Sequence, residues 1–289
     1  MRTWFVSGRT VPPGAAKISP VENFESFDGT RLAFHRVGEG SPLICVPGGP
    51  MRASAYLGTL GGLADHHELL LLDLRGTGDS QPPVDPQTYR ADRQLADVEA
   101  LRTHLGLDRV AVAAHSAGAA IAVHHAAADP DRVSHLVLIN PSPRVVDLEI
   151  SDDDRLQAVE KRRGEPWFPA AYAALQRLWA GDATDEDFTR IAPLNYGRWD
   201  AEAQADAALG RNEEALPHYY AGAPAAPSAV KAPVLLITGD YDPQIPPHRA
   251  ADYAALFPDA TLAVAPDTAH SAFVDQPTWF RETVTAFLR

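Results

Sequence analysis

Three residues of the types needed for nucleophilic catalysis follow one another along the chain. Ser116 sits between small residues in the run Arg109 to Ala128 (RVAVAAHSAGAAIAVHHAAA). Two aspartates lie in Gly239-Asp240-Tyr241-Asp242-Pro243, and His270 ends Pro266-Asp267-Thr268-Ala269-His270. A serine hydroxyl is a poor nucleophile at neutral pH and needs a base to take its proton. An imidazole base in turn needs a carboxylate that holds its tautomer and stabilises the imidazolium. Of the two aspartates, Asp242 is preferred, because it lies deeper in the loop with Pro243 fixing the turn, while Asp240 follows Gly239 and braces the strand end. His270 is chosen among eleven histidines because the others lie mostly within helical or strand-like segments. His115, next to Ser116, is expected to project to the opposite face of the strand end. Taken alone, Ser116 would serve equally well as a helix N-cap. The pair Gly48-Gly49 lets backbone amides approach a ligand with no side chain in the way, although the same residues also suit a plain tight turn.

The elements around these residues must bring them to one place. The apolar run ending at His115 reads as a buried strand and Ala119 to Ala128 as a helix of strong formers, so Ser116 falls on the turn between them. Such a turn pushes its side chain out at the carboxyl edge of a sheet, where amides at the helix start face a developing negative charge. Only small neighbours fit, hence the pattern Gly-x-Ser-x-Gly, here with Ala114 in the first place and Gly118 in the second. Upstream, Val21 to Phe27 and Thr30 to Val37 read as a hairpin turning at Asp28-Gly29. A strand over Pro42 to Val46 runs into Pro47-Gly48-Gly49-Pro50, helical spacing covers Ala53 to Ala64, and Glu68 to Leu74 is another buried strand. The turn from Asp73 to Ser80 lacks the Lys-Ser/Thr of a phosphate loop, so Arg75 and its aspartates read as structural. A helix over Asp92 to Leu105 and a strand over Arg132 to Asn140, stopped by Pro141-Ser142-Pro143, complete the first part.

From about residue 144 to 231 the chain is helical, acidic and rich in aromatics, with no convincing buried strand. Strands return at Pro233 to Thr238 and Ala260 to Ala265, with helices at His248 to Phe257 and Trp279 to Arg289. Strands alternating with helices predict an α/β fold with a mostly parallel sheet. The expected organisation is a core in two parts, 1–143 and 232–289, with a helical lid over 144–231 that excludes water and shapes a pocket. Serine, aspartate and histidine, in that order, then fall at strand ends on one edge of the sheet.

Composition narrows the function further. The chain has 289 residues, 45% of them hydrophobic, and a formal net charge of −13, which argues against a nucleic-acid or anionic-membrane surface. The single cysteine, Cys45, excludes internal disulfides and reads as a buried strand residue. Residues Met1 to Pro20 read as an irregular lead-in with neither a secretion signal nor a membrane span, so a cytoplasmic enzyme is expected. Neither a dinucleotide glycine fingerprint nor a metal-spaced histidine cluster is present, and no cofactor is expected.

The chain resembles the α/β-hydrolase superfamily, and within it the proline iminopeptidase (peptidase S33) branch. The features that carry the resemblance are Gly48-Gly49-Pro50, Asp73-x-Arg75-Gly76-x-Gly78-x-Ser80, the elbow at Ser116, the helical lid, Gly239-x-x-Asp242 and His270-x-x-Phe273-x-Asp275-x-Pro277. The resemblance implies an oxyanion hole formed by the amides of Gly49 and Ala117, an acyl-enzyme on Ser116, and a small-molecule or short-peptide substrate. This chain departs from the branch at Pro47 and Met51, where histidine and glycine are usual, and at Ala117, where tryptophan is frequent. In that branch lid glutamates bind the substrate's free amine; Glu165, Glu202, Glu213 and Glu214 are the candidates, with Trp167, Tyr196 and Trp199 as aromatic contacts. An aminopeptidase acting on small peptides or amides is the first reading, and an esterase, lactonase or thioesterase acting on a small metabolite is the second. A ligand-binding or non-hydrolytic member of the fold is the third. Epoxide and haloalkane hydrolysis would require an aspartate at position 116.

Overall fold

The structure, a computed structural model, describes residues 19–289, so the lead-in expected at the start lies, up to residue 18, outside the described residues. Eight strands form one sheet: β1 (Glu22–Glu25), β2 (Arg31–Val37), β3 (Ser41–Val46), β4 (His67–Leu72), β5 (Val110–His115), β6 (Val133–Ile139), β7 (Val234–Gly239) and β8 (Ala260–Ala265). Their order is β1-β2-β4-β3-β5-β6-β7-β8. The first two pairings are antiparallel and all the others parallel. β3, β5, β6 and β7 are nearly continuous apolar runs because both of their faces are covered. Alternate residues sort onto the two faces. Ile44, Val46, Val112, Ala114, Leu136 and Leu138 join one core, and Leu43, Cys45, Ala113, Val137 and Ile139 join the other. Burial pushes the Cys45 thiol well above its usual range.

The first core is covered by α1 (Ala91–His104) and α2 (Ala119–Ala128). Between β6 and β7 come α3 (Asp152–Glu160), α4 (Phe168–Ala180), α5 (Asp185–Ile191), α6 (Ala201–Ala207) and α7 (Leu216–Tyr219), with no strand among the described residues. This insertion has a small core of its own, formed by Val159, Phe168, Ala171, Leu175 and Leu194. Three further helices, α8 (Pro247–Ala254), α9 (Ala272–Asp275) and α10 (Pro277–Phe287), follow. Because β3 pairs with β4 on one side and β5 on the other, the chain reverses direction across the sheet there. The loops after β3 and β5 leave the same edge, the place where open α/β sheets bind ligands.

Two local expectations are corrected. Ala53 to Ala64 is not one helix: Gly58, Gly61 and Gly62 take φ of 54°, 63° and 87° and leave only short 3-10 turns at Ser54–Leu57 and Leu63–Asp65. Asp28-Gly29 is not a two-residue hairpin turn. It sits in a wider loop closed by Ser26 N to Thr30 O, in which the Asp28 carboxylate reaches the Arg75 guanidinium. Arg75 is fully buried between Asp28 and Asp97, and Asp73 accepts from the Ser54 and Asp79 amides, so this turn braces β2, β4 and α1. Among the described residues no helix is long and apolar enough to cross a membrane.

Candidate active site

β5 ends at His115, and the chain turns through Ser116 at φ 52° into the short 3-10 turn Ser116–Gly118 and then α2. A positive φ at a non-glycine residue is strained, and it aims the side chain out of the sheet edge. The pattern around Ser116 has a steric cause. A Cβ on Gly118 would lie 2.4 Å from the Pro47 carbonyl oxygen, so the second small position must be glycine. Ala114 is an ordinary buried strand residue between Val46 and Leu138, where a methyl group fits. The loop after β3 packs directly on the turn: a Cβ on Gly48 would lie 2.8 Å from Ser116 Cβ, and Gly49 takes φ 121°.

His270 comes from the loop after β8. Its Nε2 is 2.8 Å from Ser116 Oγ, and its Nδ1 is 3.0 and 3.1 Å from the two oxygens of Asp242 in the loop after β7. With a carboxylate on Nδ1, the imidazole proton belongs there, and Nε2 is left to accept the serine proton. Asp242 is fully buried. Its remaining lone pairs accept from Asn140 Nδ2 at 2.8 Å and from the Gln244 amide at 2.8 Å. Asp240 is engaged elsewhere, accepting from the Thr268 amide and, through its carbonyl, from Lys161. The fold therefore brings together Ser116, Asp242 and His270; Ala117 follows Ser116 on the turn, and Gly49 follows Gly48, whose backbone packs against Ser116 and the Ala117 amide.

Other contacts around the site were not anticipated from the sequence. Asn140, at the end of β6 with φ 46°, donates to both Asp242 and the Ala269 carbonyl. Tyr219 donates its hydroxyl to the Ala117 carbonyl. Arg52, just after the glycine pair, lies over the Tyr56 ring at 4.3 Å and pairs with Asp206 of α6 at 2.9 Å, an aspartate that also accepts from the Tyr196 hydroxyl. His115 is buried, with its ring centroid 5.3 Å from that of His270. Burial, with a smaller contribution from the neighbouring His270 ring, pushes its imidazole down to about 3, so it is neutral at physiological pH.

The candidates for substrate contact in the helical insertion are spread out. Tyr196 is buried with Trp199 against it, and the Asn195 carbonyl in the same segment accepts from the His270 amide. Trp167 packs in the insertion's own core beneath Arg162. Glu165 pairs with Arg162, Glu213 with Arg211, and Glu214 is exposed. Glu202 lies on α6, and its side chain is outside the described residues. Among the described residues two clusters have metal-ligand side chains, His35/Asp73/Asp79 and Glu99/His125/Asp129, but Asp73 is already held by Ser54 and Glu99 by Arg102. A groove of about 910 Å³ between β1 and α1, lined by Asn23, Phe24, Glu99 and His104, contains none of the relay residues.

Comparison with known proteins gives a consistent assignment. A putative 2-succinyl-6-hydroxy-2,4-cyclohexadiene-1-carboxylate synthase of Bacillus subtilis is 25% identical over 275 residues, 92% of this chain and 97% of that protein. A proline iminopeptidase of Heyndrickxia coagulans is 31% identical over 123 residues, and the match spans 42% of this chain and 43% of that relative. The solved structure of a proline iminopeptidase from Mycobacterium smegmatis superposes with a TM-score of 0.72 at 23% identity, covering 93% of this chain and 97% of that one. The family model for the alpha/beta hydrolase fold matches residues 41–277, and the chain belongs to that family.

Proposed function

We propose that this α/β hydrolase is a serine hydrolase working through an acyl-enzyme. The observation that carries the reading is the continuous line from Ser116 Oγ to His270 Nε2 at 2.8 Å and from Nδ1 to Asp242 at 3.0 Å. Ser116 attacks a carbonyl carbon while His270 takes its proton, and the tetrahedral oxyanion is held by the amides of Gly49 and Ala117. One such donor is worth about 3 kcal/mol in the transition state. His270 then protonates the leaving group. A water deprotonated by His270 releases the acyl group. Residues 144–231 act as a lid over this edge, a role supported by the bonds from its segment at Asn195 to His270 and from Asp206 to Arg52.

Two substrate classes are weighed. Likeness to proline iminopeptidases supports a small peptide or amide with a free N-terminal amine, which requires a lid carboxylate free to meet an ammonium group. Of the glutamates expected there, Glu165 and Glu213 instead pair with Arg162 and Arg211, Glu214 is exposed, and Asp206 pairs with Arg52 beside the glycine loop. That charge pairing favours the ester of a small metabolite, the easier bond for the same relay. The test is steady-state hydrolysis of proline p-nitroanilide beside short-chain p-nitrophenyl esters, using the parent protein and Ser116→Ala. Ester turnover abolished by Ser116→Ala is expected. Turnover of the anilide that depends on Ser116 would restore the aminopeptidase reading, and turnover of neither would overturn the serine hydrolase reading.

A further inference from the structure

Beneath the reacting atoms runs a hydrogen-bonded chain whose direction is fixed at both ends. The Gly48 amide can only donate, and it does so to the Tyr56 hydroxyl oxygen at 2.7 Å. The His270 carbonyl can only accept, and His115 Nε2 lies 2.8 Å from it. The link between them is Tyr56 Oη to His115 Nδ1 at 2.8 Å. His115 Nε2 must therefore carry the proton, Nδ1 must be bare, and the Tyr56 proton must point at Nδ1. All three hydrogen bonds then run in one sense, donated from the Gly48 amide through Tyr56 and His115 to the His270 carbonyl. The arrangement requires a neutral imidazole, which the buried His115 is. Both rings are held in plane: Phe273 meets His115 edge-on at 5.4 Å, and Arg52 covers Tyr56.

We propose that Tyr56 and His115 are positioning residues that tie the Gly48-Gly49 loop and the His270 loop to the strand bearing Ser116. His115 immediately precedes the nucleophile, so each loop is referenced to the same point of β5. One loop offers the oxyanion donor and the other the base, and the transition state is sensitive to both spacings at once. A misplacement of about 1 Å at such a site costs on the order of 100-fold in rate. The proposal rests on the serine hydrolase reading.

The test compares Tyr56→Phe, His115→Gln, His115→Leu and the double variant Tyr56→Phe/His115→Leu with the parent. It measures kcat and KM on p-nitrophenyl acetate, the rate of Ser116 phosphonylation by a fluorophosphonate, and thermal melting. Tyr56→Phe is expected to lower kcat by about 10- to 100-fold with KM within about twofold. His115→Gln keeps a donor for the His270 carbonyl and should retain clearly more activity than His115→Leu at the same melting temperature. The double variant should lose no more than His115→Leu alone, since a broken chain cannot be broken twice. A Tyr56→Phe kcat within about twofold of the parent, or equal activity in the two His115 variants, overturns the proposal. A parent protein left unlabelled at Ser116 overturns the serine hydrolase reading and the proposal with it. A labelled parent with unimpaired variants overturns the proposal alone.

Discussion

Replacing Asp242 by asparagine isolates what the carboxylate does, because its surroundings dictate how the amide must sit. One Asp242 oxygen accepts from the Gln244 backbone amide at 2.8 Å, and the other from Asn140 at 2.8 Å, while both face His270 Nδ1. A backbone donor cannot reorient, so in Asp242→Asn the amide oxygen must stay on Gln244. The amide nitrogen is then forced toward Asn140 and His270. Facing that nitrogen at the shorter of the two distances, the imidazole is driven to accept on Nδ1, which moves its proton to Nε2, where it points at Ser116 and cannot take the serine proton. In the Ser-His-Asp template this tautomer inversion costs about 10⁴ in kcat, or about 5.4 kcal/mol of transition-state stabilisation. The fold should lose less, on the order of 1–3 kcal/mol, because Gln244 stays paired and only Asn140 is confronted by a donor. The assay is burst and steady-state hydrolysis of p-nitrophenyl acetate at neutral pH, with melting measured in parallel. A folded Asp242→Asn variant whose kcat lies within about tenfold of the parent would refute the tautomer argument.

Two further predictions concern the fold. Arg75 is fully buried against the buried Asp97, so Arg75→Met strands a carboxylate and should destabilise by about 3–5 kcal/mol. At roughly 2–4 °C per kcal/mol, melting should fall by about 10 °C while kcat per folded molecule is unchanged; a fall of less than about 3 °C contradicts this. Glu99 is held down to about 2 by its hydrogen bonds to Arg102, helped by His125. Its folded value lies below the unfolded one of about 4.3, so its contribution is complete above that pH and is lost as pH falls through about 2. The melting gap between the parent and Glu99→Gln should therefore shrink from pH 5 to about pH 2. A gap that does not change with pH counts against it.

How much of this was legible in the sequence depended on whether a residue's role left a local mark. Strands β3, β5, β6 and β7 announce themselves because a strand buried on both faces must be apolar throughout, and because glycine or proline punctuates their ends. The elbow is visible for a related reason: its turn admits only small neighbours, which leaves Gly118 pressed on the Pro47 carbonyl. Asp242 could be preferred over Asp240 because Pro243 fixes the turn. The run from Ala53 to Ala64 misled because apolar spacing was counted while Gly58, Gly61 and Gly62, all at positive φ, were passed over. Within the insertion, aromatic and acidic residues serve core, solvent and site alike. Composition therefore could not separate Trp167, packed among its neighbours, from Asp206, which reaches Arg52.

The residues that orient the relay left the faintest marks, and the reason is physical. Ser116, Asp242 and His270 sit at strand ends, where turn chemistry surrounds them and their order along the chain is constrained. Asn140, Tyr56 and His115 act through buried hydrogen bonds to segments far away in sequence, and a buried polar side chain is accepted wherever its partners happen to be. Asn140 alone had a usable signal, an amide side chain closing a buried strand before Pro141-Ser142-Pro143. On β6, between the strands that carry Ser116 and Asp242, that side chain had to find partners at the same sheet edge. Tyr56 had none, since it lies in the stretch Ala53 to Ala64, whose apolar spacing reads as a plain helix. Its hydrogen bonds depend on the approach of β3 to β5, a long-range pairing that lets its hydroxyl meet both the Gly48 amide and His115. The candidate site was therefore legible where local geometry constrains residue type, and hidden where only the assembled sheet does.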